Sequence, residues 1–204
     1  HRSPGGFFYH DEGKTHSSGK FLYSARIIPY RGSWLDVEFD AKDILYIRID
    51  RKRKLPVTTL LMAIGMTASD ILSAYYKTET YEYKKKGWVI DFDPSNVIVH
   101  RLVSDLIDAD TNETLLEAGQ KITPRLAKKF VENGLKKILV QDDMLWGDFV
   151  GKEIVDSKSG EVLAKLGEQI TEDMLNSLKA AGVKSISILK VAAGSDAYIR
   201  NTLF

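Results

Sequence analysis

Trp34-Leu35-Asp36-Val37-Glu38-Phe39 and Leu45-Tyr46-Ile47-Arg48-Ile49-Asp50, joined by Asp40-Ala41-Lys42-Asp43, decide how the first part of this 204-residue chain is read. Both runs alternate. Leu35, Val37, Phe39, Leu45, Ile47 and Ile49 fall on one side, and Trp34, Asp36, Glu38, Tyr46, Arg48 and Asp50 fall on the other. Period-two alternation on both sides of a short polar connection predicts a β-hairpin with one buried face. Matching the apolar faces requires odd residues to pair with odd and even with even. The shortest such register sets Phe39 opposite Leu45, Leu35 opposite Ile49, Asp36 opposite Arg48 and Trp34 opposite Asp50.

The second run leads into Arg51-Lys52-Arg53-Lys54-Leu55-Pro56. Arg48 to Lys54 holds five cations in seven residues, although the net charge of the whole chain is only +1. Such a cluster reads either as a solvated face or as a phosphate-binding surface. Trp34, on the polar face one register step away, also has two readings. A neighbouring loop covers it, or it stacks on a base of single-stranded nucleic acid while nearby Arg and Lys meet phosphates.

Upstream, Phe7-Phe8-Tyr9 and Phe21-Leu22-Tyr23 are aromatic strand candidates around a polar loop from Asp11 to Gly19. Ala25 to Pro29 extends the second strand into the turn Tyr30-Arg31-Gly32-Ser33. Downstream, Pro56 suits a first helical position, with Val57 to Ile64 helical and Gly65 as a stop. Thr67-Ala68-Ser69-Asp70 resembles a capping box opening a helix through Tyr76. From Lys77 the composition shifts. Tyr81 to Tyr83, Lys84-Lys85-Lys86-Gly87 and Trp88 to Phe92 predict a second hairpin, closed by Asp93-Pro94-Ser95-Asn96.

Residues 103–190 repeat at an offset of 48: Asp108 matches Asp156, Gly119 Gly167, Thr123 Thr171, and Gly134 Gly182. Each copy, 103–140 and 151–188, reads strand, turn, strand, helix, strand. Thr123 with Pro124 and Thr171 start the helices, and Gly134 and Gly182 end them. The helices are expected to hide Leu126, Phe130 and Val131, or Met174, Leu175 and Leu178. Two copies are too few for a solenoid, so a paired module is expected, with Met144-Leu145-Trp146 packed between them. Asp196-Ala197-Tyr198-Ile199-Arg200 reads as a capped helix start. The class is α+β.

Hydrophobic and charged shares of 44% and 28% suit a soluble globular protein. Without cysteine there are no disulfides or thiolate metal sites, and a reducing compartment is expected. No apolar run is long enough to span a membrane. Gly13-Lys14-Thr15 lacks the glycine that a phosphate-binding loop needs five residues earlier, where Phe8 stands. His1, His10, His16 and His100 have no metal-ligand spacing, and no tight carboxylate cluster offers to hold catalytic magnesium. Beginning at His1-Arg2-Ser3-Pro4-Gly5, the chain reads as a piece of something longer.

His1-Arg2-Ser3-Pro4-Gly5, Gly13-Lys14-Thr15-His16-Ser17-Ser18-Gly19-Lys20, Ala25 to Leu35 and Arg48 to Pro56 closely resemble the β subunit of bacterial DNA-directed RNA polymerase. The match covers residues 1 to about 76 and resumes at Tyr198 to Leu203, with Gly6 a departure from a larger apolar residue. The resemblance implies that 1–76 and 194–204 are part of the lobe (β2) domain, a wall of the DNA channel. It implies that 77–193 are a lineage-specific insertion. Trp34 would then stack on a base of the non-template strand, with Asp50 beside that pocket. Arg51, Arg53 and Lys54 would face the DNA path. The catalytic magnesium of this nucleotidyltransferase would be held by another subunit, so this part carries no cofactor and no catalysis of its own. Its partners would be DNA, the β′, α, ω and sigma subunits and, at the insertion, transcription regulators. The place would be the bacterial cytoplasm, with the nucleoid. The alternative is a self-standing interaction module, built on the duplicated region, with no role on DNA.

Overall fold

The computed structural model describes residues 3–9, 19, 21–191 and 198–204. The Gly13-Lys14-Thr15 loop, His1, His10, His16 and the Asp196-Ala197 cap lie outside the described residues. Two compact units result, one reaching Lys77 and resuming at Val191, the other spanning Thr78–Lys190. The chain is α+β.

In the first unit, β1 (Gly5–Tyr9), β2 (Ser24–Ile28), β3 (Leu35–Phe39), β4 (Leu45–Ile49) and β5 (Leu55–Pro56) form an antiparallel sheet in chain order. The β3–β4 hairpin takes the expected register, with Leu35 opposite Ile49, Asp36 opposite Arg48 and Phe39 opposite Leu45. Its loop is closed by the Asp40 carboxylate, which accepts from the Lys42 and Ile44 amides at 2.8 and 2.9 Å. Phe21-Leu22-Tyr23 are not strand, because ladder pairing with β1 and β3 begins only at Ser24.

The inner face of this sheet meets two short helices, α1 (Val57–Ala63) and, at the end of the chain, α5 (Tyr198–Leu203), and α2 (Ala68–Tyr75) packs against both of them. Pro56 is the cap of α1 rather than its first residue, because its extended ψ of 136° keeps it in β5. Thr67 and Asp70 form the expected capping box: the Asp70 amide donates to Thr67 Oγ1 at 3.1 Å, and the Thr67 amide donates to Asp70 Oδ2 at 2.8 Å. Thr202 of α5 ties the layers together. Its Oγ1 accepts from the Leu45 amide at 3.0 Å, and its carbonyl accepts from the Thr58 hydroxyl at 3.2 Å. Ile47, Ile71, Leu72 and Ile199 are buried.

The second unit is built around the hairpin of β6 (Lys77–Lys84) and β7 (Gly87–Asp91), with Tyr83 opposite Trp88. Its remaining elements are β8 (His100–Arg101), β9 (Leu106–Asp108), β10 (Thr114–Leu116), β11 (Lys121–Ile122), α3 (Pro124–Glu132), β12 (Lys137–Val140), β13 (Phe149–Val150), β14 (Ile154–Val155), β15 (Val162–Ala164), α4 (Glu172–Ala180) and β16 (Ser185–Lys190). Seven strands form one sheet in the order β10-β9-β12-β7-β6-β16-β13, so β12 flanks the hairpin on one side and β16 on the other.

Matching hydrogen bonds stand 48 residues apart. The Asp108 amide donates to the Glu113 carbonyl at 2.9 Å, and Asp156 to Glu161 at 2.8 Å; Gly119 donates to Leu102 and Gly167 to Val150, both at 2.8 Å. Thr123 and Thr171 cap α3 and α4 through their hydroxyls at 3.2 and 3.3 Å. Two packing expectations change. Val131 is 38% exposed, and Ala127 and Leu135 fill the α3 interface instead. Of Met144-Leu145-Trp146, only Leu145 is buried; Trp146 is 48% exposed.

The large buried ring is Trp88, fully enclosed beside Tyr81, Leu145, Leu175, Leu178, Ile186 and Ile188. Its indole N–H donates to Asp142 Oδ1 at 2.9 Å, and the same carboxylate pairs with Lys179 of α4. Burial of the ring and of the N–H are thus satisfied together. Trp88→Ala is expected to destabilise the second unit by about 3–5 kcal/mol in denaturant unfolding, and Trp88→Phe, which keeps most of the apolar surface, by clearly less.

Candidate nucleic-acid interface

Trp34 immediately precedes β3, and Asp50 immediately follows β4. The Trp34 amide donates to Asp50 Oδ1 at 2.9 Å, and the Asp50 amide donates to the Trp34 carbonyl at 2.9 Å. The register expected from alternation thus extends one step past the strands. Ser33 adds a side-chain hydrogen bond to the same carboxylate; this bond first, then that from the Trp34 amide, holds the Asp50 carboxyl below the ordinary aspartate range.

Beyond Ile49 the chain reverses in a turn with left-handed residues at both central positions. Asp50 has φ 51° and Arg51 φ 58°, and the Lys52 amide donates to the Ile49 carbonyl at 3.0 Å. Two positive φ angles in succession are the type I′ pattern that suits the twist of a hairpin. Arg51 has no glycine-like freedom, so its conformation costs of order 1 kcal/mol. The basic run is therefore the loop of a second hairpin, closed by Ile47 opposite Leu55 and Tyr46 opposite Pro56.

The outer face of the sheet carries alternating charge. Arg26 of β2 lies opposite Asp36 and pairs with it, Asp36 lies opposite Arg48, and Arg48 Nε donates to Glu38 Oε1 at 3.0 Å. The Arg26 guanidinium stands 5.6 Å from the centroid of the Trp34 ring and 5.9 Å from that of Tyr9, within cation–π range of both. A cavity of about 260 Å³ lies among Tyr9, Arg26, Arg48 and Arg51. A larger, open groove of about 650 Å³ is lined by Trp34, Tyr30, Arg31 and Arg51. Arg51 borders both, and Tyr30 is 96% exposed.

Of the residues expected at the site, Trp34, Asp50 and Arg51 come together. Arg53 is exposed in the extended stretch before β5. Lys54 turns elsewhere: its ammonium stands 4.4 Å over the Tyr46 ring, at a separate cavity of about 300 Å³. Arg26, Tyr9, Tyr30 and Arg31 were not singled out from the sequence. Arg26 was legible as an even-numbered cation on a strand adjoining Asp36. Tyr30 and Arg31 were visible only as turn residues, although an aromatic–cation pair beside Trp34 is itself a signal.

Among the described residues no group of three or more His, Asp or Glu is placed to hold a metal ion, and no single helix is long and apolar enough to cross a membrane. The second unit has its own charged cluster, in which Lys190 Nζ lies 3.4 Å from Asp148 and 3.8 Å from Glu79. Burial pushes the Asp148 carboxyl up, against the opposing pull of Lys190.

The family model described as RNA polymerase Rpb2, domain 2, matches residues 7–160. The DNA-directed RNA polymerase subunit beta of Rickettsia massiliae (strain Mtu5) is 60% identical over 205 residues, covering 100% of this chain and 15% of the relative. The subunits beta of Rickettsia felis and Rickettsia akari match with the same identity and coverage. The chain therefore spans about 15% of the length of the curated relatives it matches. By the extent of these matches, the chain belongs to the RNA polymerase Rpb2 domain 2 family.

Proposed function

We propose that this chain works as part of the β subunit of a bacterial DNA-directed RNA polymerase, as a wall of the channel that holds melted DNA. The supporting observation is the geometry around Trp34. A cation backs the indole at 5.6 Å, the backbone beside it is held by Asp50, and an open groove bordered by Tyr30, Arg31 and Arg51 adjoins it. A base of the non-template strand stacks on the ring from that groove, and its phosphates meet Arg51 and Arg31. Arg53 and Lys54 add to the field along the DNA path without touching the stacked base.

On this reading residues 1–76 and 194–204 belong to the lobe, and 77–193 are an insertion with a duplicated interior. The recurrence of hydrogen bonds at one offset supports the duplication. The chain binds and positions DNA; nucleotidyl transfer with its magnesium lies with other parts of the enzyme. The other polymerase subunits and DNA are its partners, in the bacterial cytoplasm.

In polymerase carrying Trp34→Ala, release from a bubble template is expected to accelerate by the equivalent of about 1–3 kcal/mol, the worth of one stacked base. Unchanged release over a salt series speaks against the stacking role. The pH dependence follows from Asp50. Its folded-state pKa is lowered, so its contribution to the turn is complete above the ordinary value of 3.8 and is lost as pH falls through the lower folded value. The Trp34 amide resonance is expected to move only in that acid range, and to lose this step in Asp50→Asn, whose side-chain oxygen still accepts. Replacing 77–193 by a short bridge in the polymerase is expected to leave elongation within about twofold, since the stacking groove lies wholly in the first unit.

A further inference from the structure

The sheet places Arg26 between two rings. On the outer face it stands opposite Phe7 of β1 and Asp36 of β3, so Tyr9 and Trp34 are its diagonal neighbours, two residues along in opposite directions. Diagonal neighbours on one face of a sheet stand about 7–8 Å apart, within reach of a long side chain. The guanidinium accordingly lies 5.9 Å from the Tyr9 centroid and 5.6 Å from that of Trp34. An ion pair with Asp36 holds it there, and the Arg26 and Asp36 side chains are only 16% and 15% exposed. Asp36 also faces Arg48 across the sheet, but Arg48 Nε turns to Glu38 at 3.0 Å, and the Asp36 carboxylate pairs with Arg26.

The two recesses of this face lie on different sides of the indole. Arg26 lines the cavity of about 260 Å³ and Trp34 does not, whereas Trp34 lines the groove of about 650 Å³ and Arg26 does not. The guanidinium therefore approaches the ring from the cavity, away from the groove. Arginine suits this place because its planar group stacks on an aromatic face while a carboxylate holds its N–H fork; lysine supplies the charge without the plane or the fork. A cation so largely covered, and already neutralised by Asp36, is poorly placed to meet a phosphate. Its chemistry is directed at the rings.

We propose that Arg26 is a positioning residue for DNA: pinned by Asp36, it fixes the Trp34 indole from the cavity side and leaves the groove side of the ring for the base. This role rests on the stacking proposed above for Trp34. The backbone of Trp34 is set by Asp50, but backbone bonds leave the side-chain torsions free, and the ring needs a second hold. The guanidinium supplies it, and Tyr9 on the far side keeps the guanidinium from swinging away. A ring ordered before DNA arrives has less freedom to lose on binding, which strengthens the stack without adding a contact to DNA.

In polymerase carrying Arg26→Gln, release from a bubble template is expected to accelerate about two- to fivefold, as for loss of one cation–π contact. In a Trp34→Ala background the same change is expected to add less than about 1.5-fold, because a positioning residue acts only through the ring. Arg26→Lys, which keeps the charge, is expected to fall between the unsubstituted enzyme and Arg26→Gln. Tyr9→Leu leaves the ion pair intact, and is expected to accelerate release by up to about twofold, again only with Trp34 present. In the chain alone, without DNA, ring currents are expected to hold the Arg26 δ-methylene protons upfield of ordinary arginine values, and Trp34→Ala to move them back. Three results overturn the proposal: an Arg26→Gln effect equally large in the Trp34→Ala background, which means that Arg26 meets DNA directly; Arg26→Gln release at the unsubstituted rate while Trp34→Ala release is fast; or Arg26 methylene protons that Trp34→Ala does not move. Unchanged release in Trp34→Ala alone defeats the stacking reading itself, and this role with it.

Discussion

The period-two alternation of β3 and β4 is the constraint on which the candidate interface depends. One register puts Leu35, Val37, Phe39, Leu45, Ile47 and Ile49 on the face that meets the helices, and a slip of one residue would turn all of them to solvent. The same register puts Trp34 against Asp50, so the core's demand for an apolar face also fixes the backbone at Trp34. The outer face agrees with this alignment, which also sets Asp36 opposite Arg48. The reciprocal amide bonds, the left-handed turn at Asp50 and Arg51 and the approach of Arg26 to the indole are consequences of pairing decided on the opposite side of the sheet.

Much of this was legible in the sequence because it rests on local chemistry. Hairpin register follows from alternation, the Thr67–Asp70 box from one side chain reaching three residues on, and the starts of α3 and α4 from Thr123 and Thr171. What escaped depends on which neighbour reaches a residue first. Phe21 to Tyr23 have strand composition but no complete ladder partner, so the strand begins at Ser24. Val131 follows Ala127 by one turn, at the end of α3, and stays 38% exposed, while the smaller Ala127 is pressed into the core. Trp88, read only as part of a strand, does lie in β7 and is also the buried anchor, while Trp146, expected to pack between the copies, stays half exposed.

At the site, composition marked the cations but not their directions. The run from Arg51 to Lys54 appears in the sequence as one cluster. Once it forms a hairpin loop its members diverge, with Arg51 toward Trp34 and Lys54 over Tyr46. A single glycine has a comparable effect in the second unit, where Gly151 gives part of a strand edge to β13. Two halves that share capping and turn hydrogen bonds thereby differ in which edges are filled.

The adjacency of β6 and β16 in the sheet has a topological consequence. The second unit begins on one of these strands and ends on the other, and Thr78 and Leu189 both lie against Gly151. Its entry and exit therefore lie close together. A module whose ends meet adds almost no loop-closure entropy to the chain around it. A unit with this topology can stand in the connection between two elements at little conformational cost.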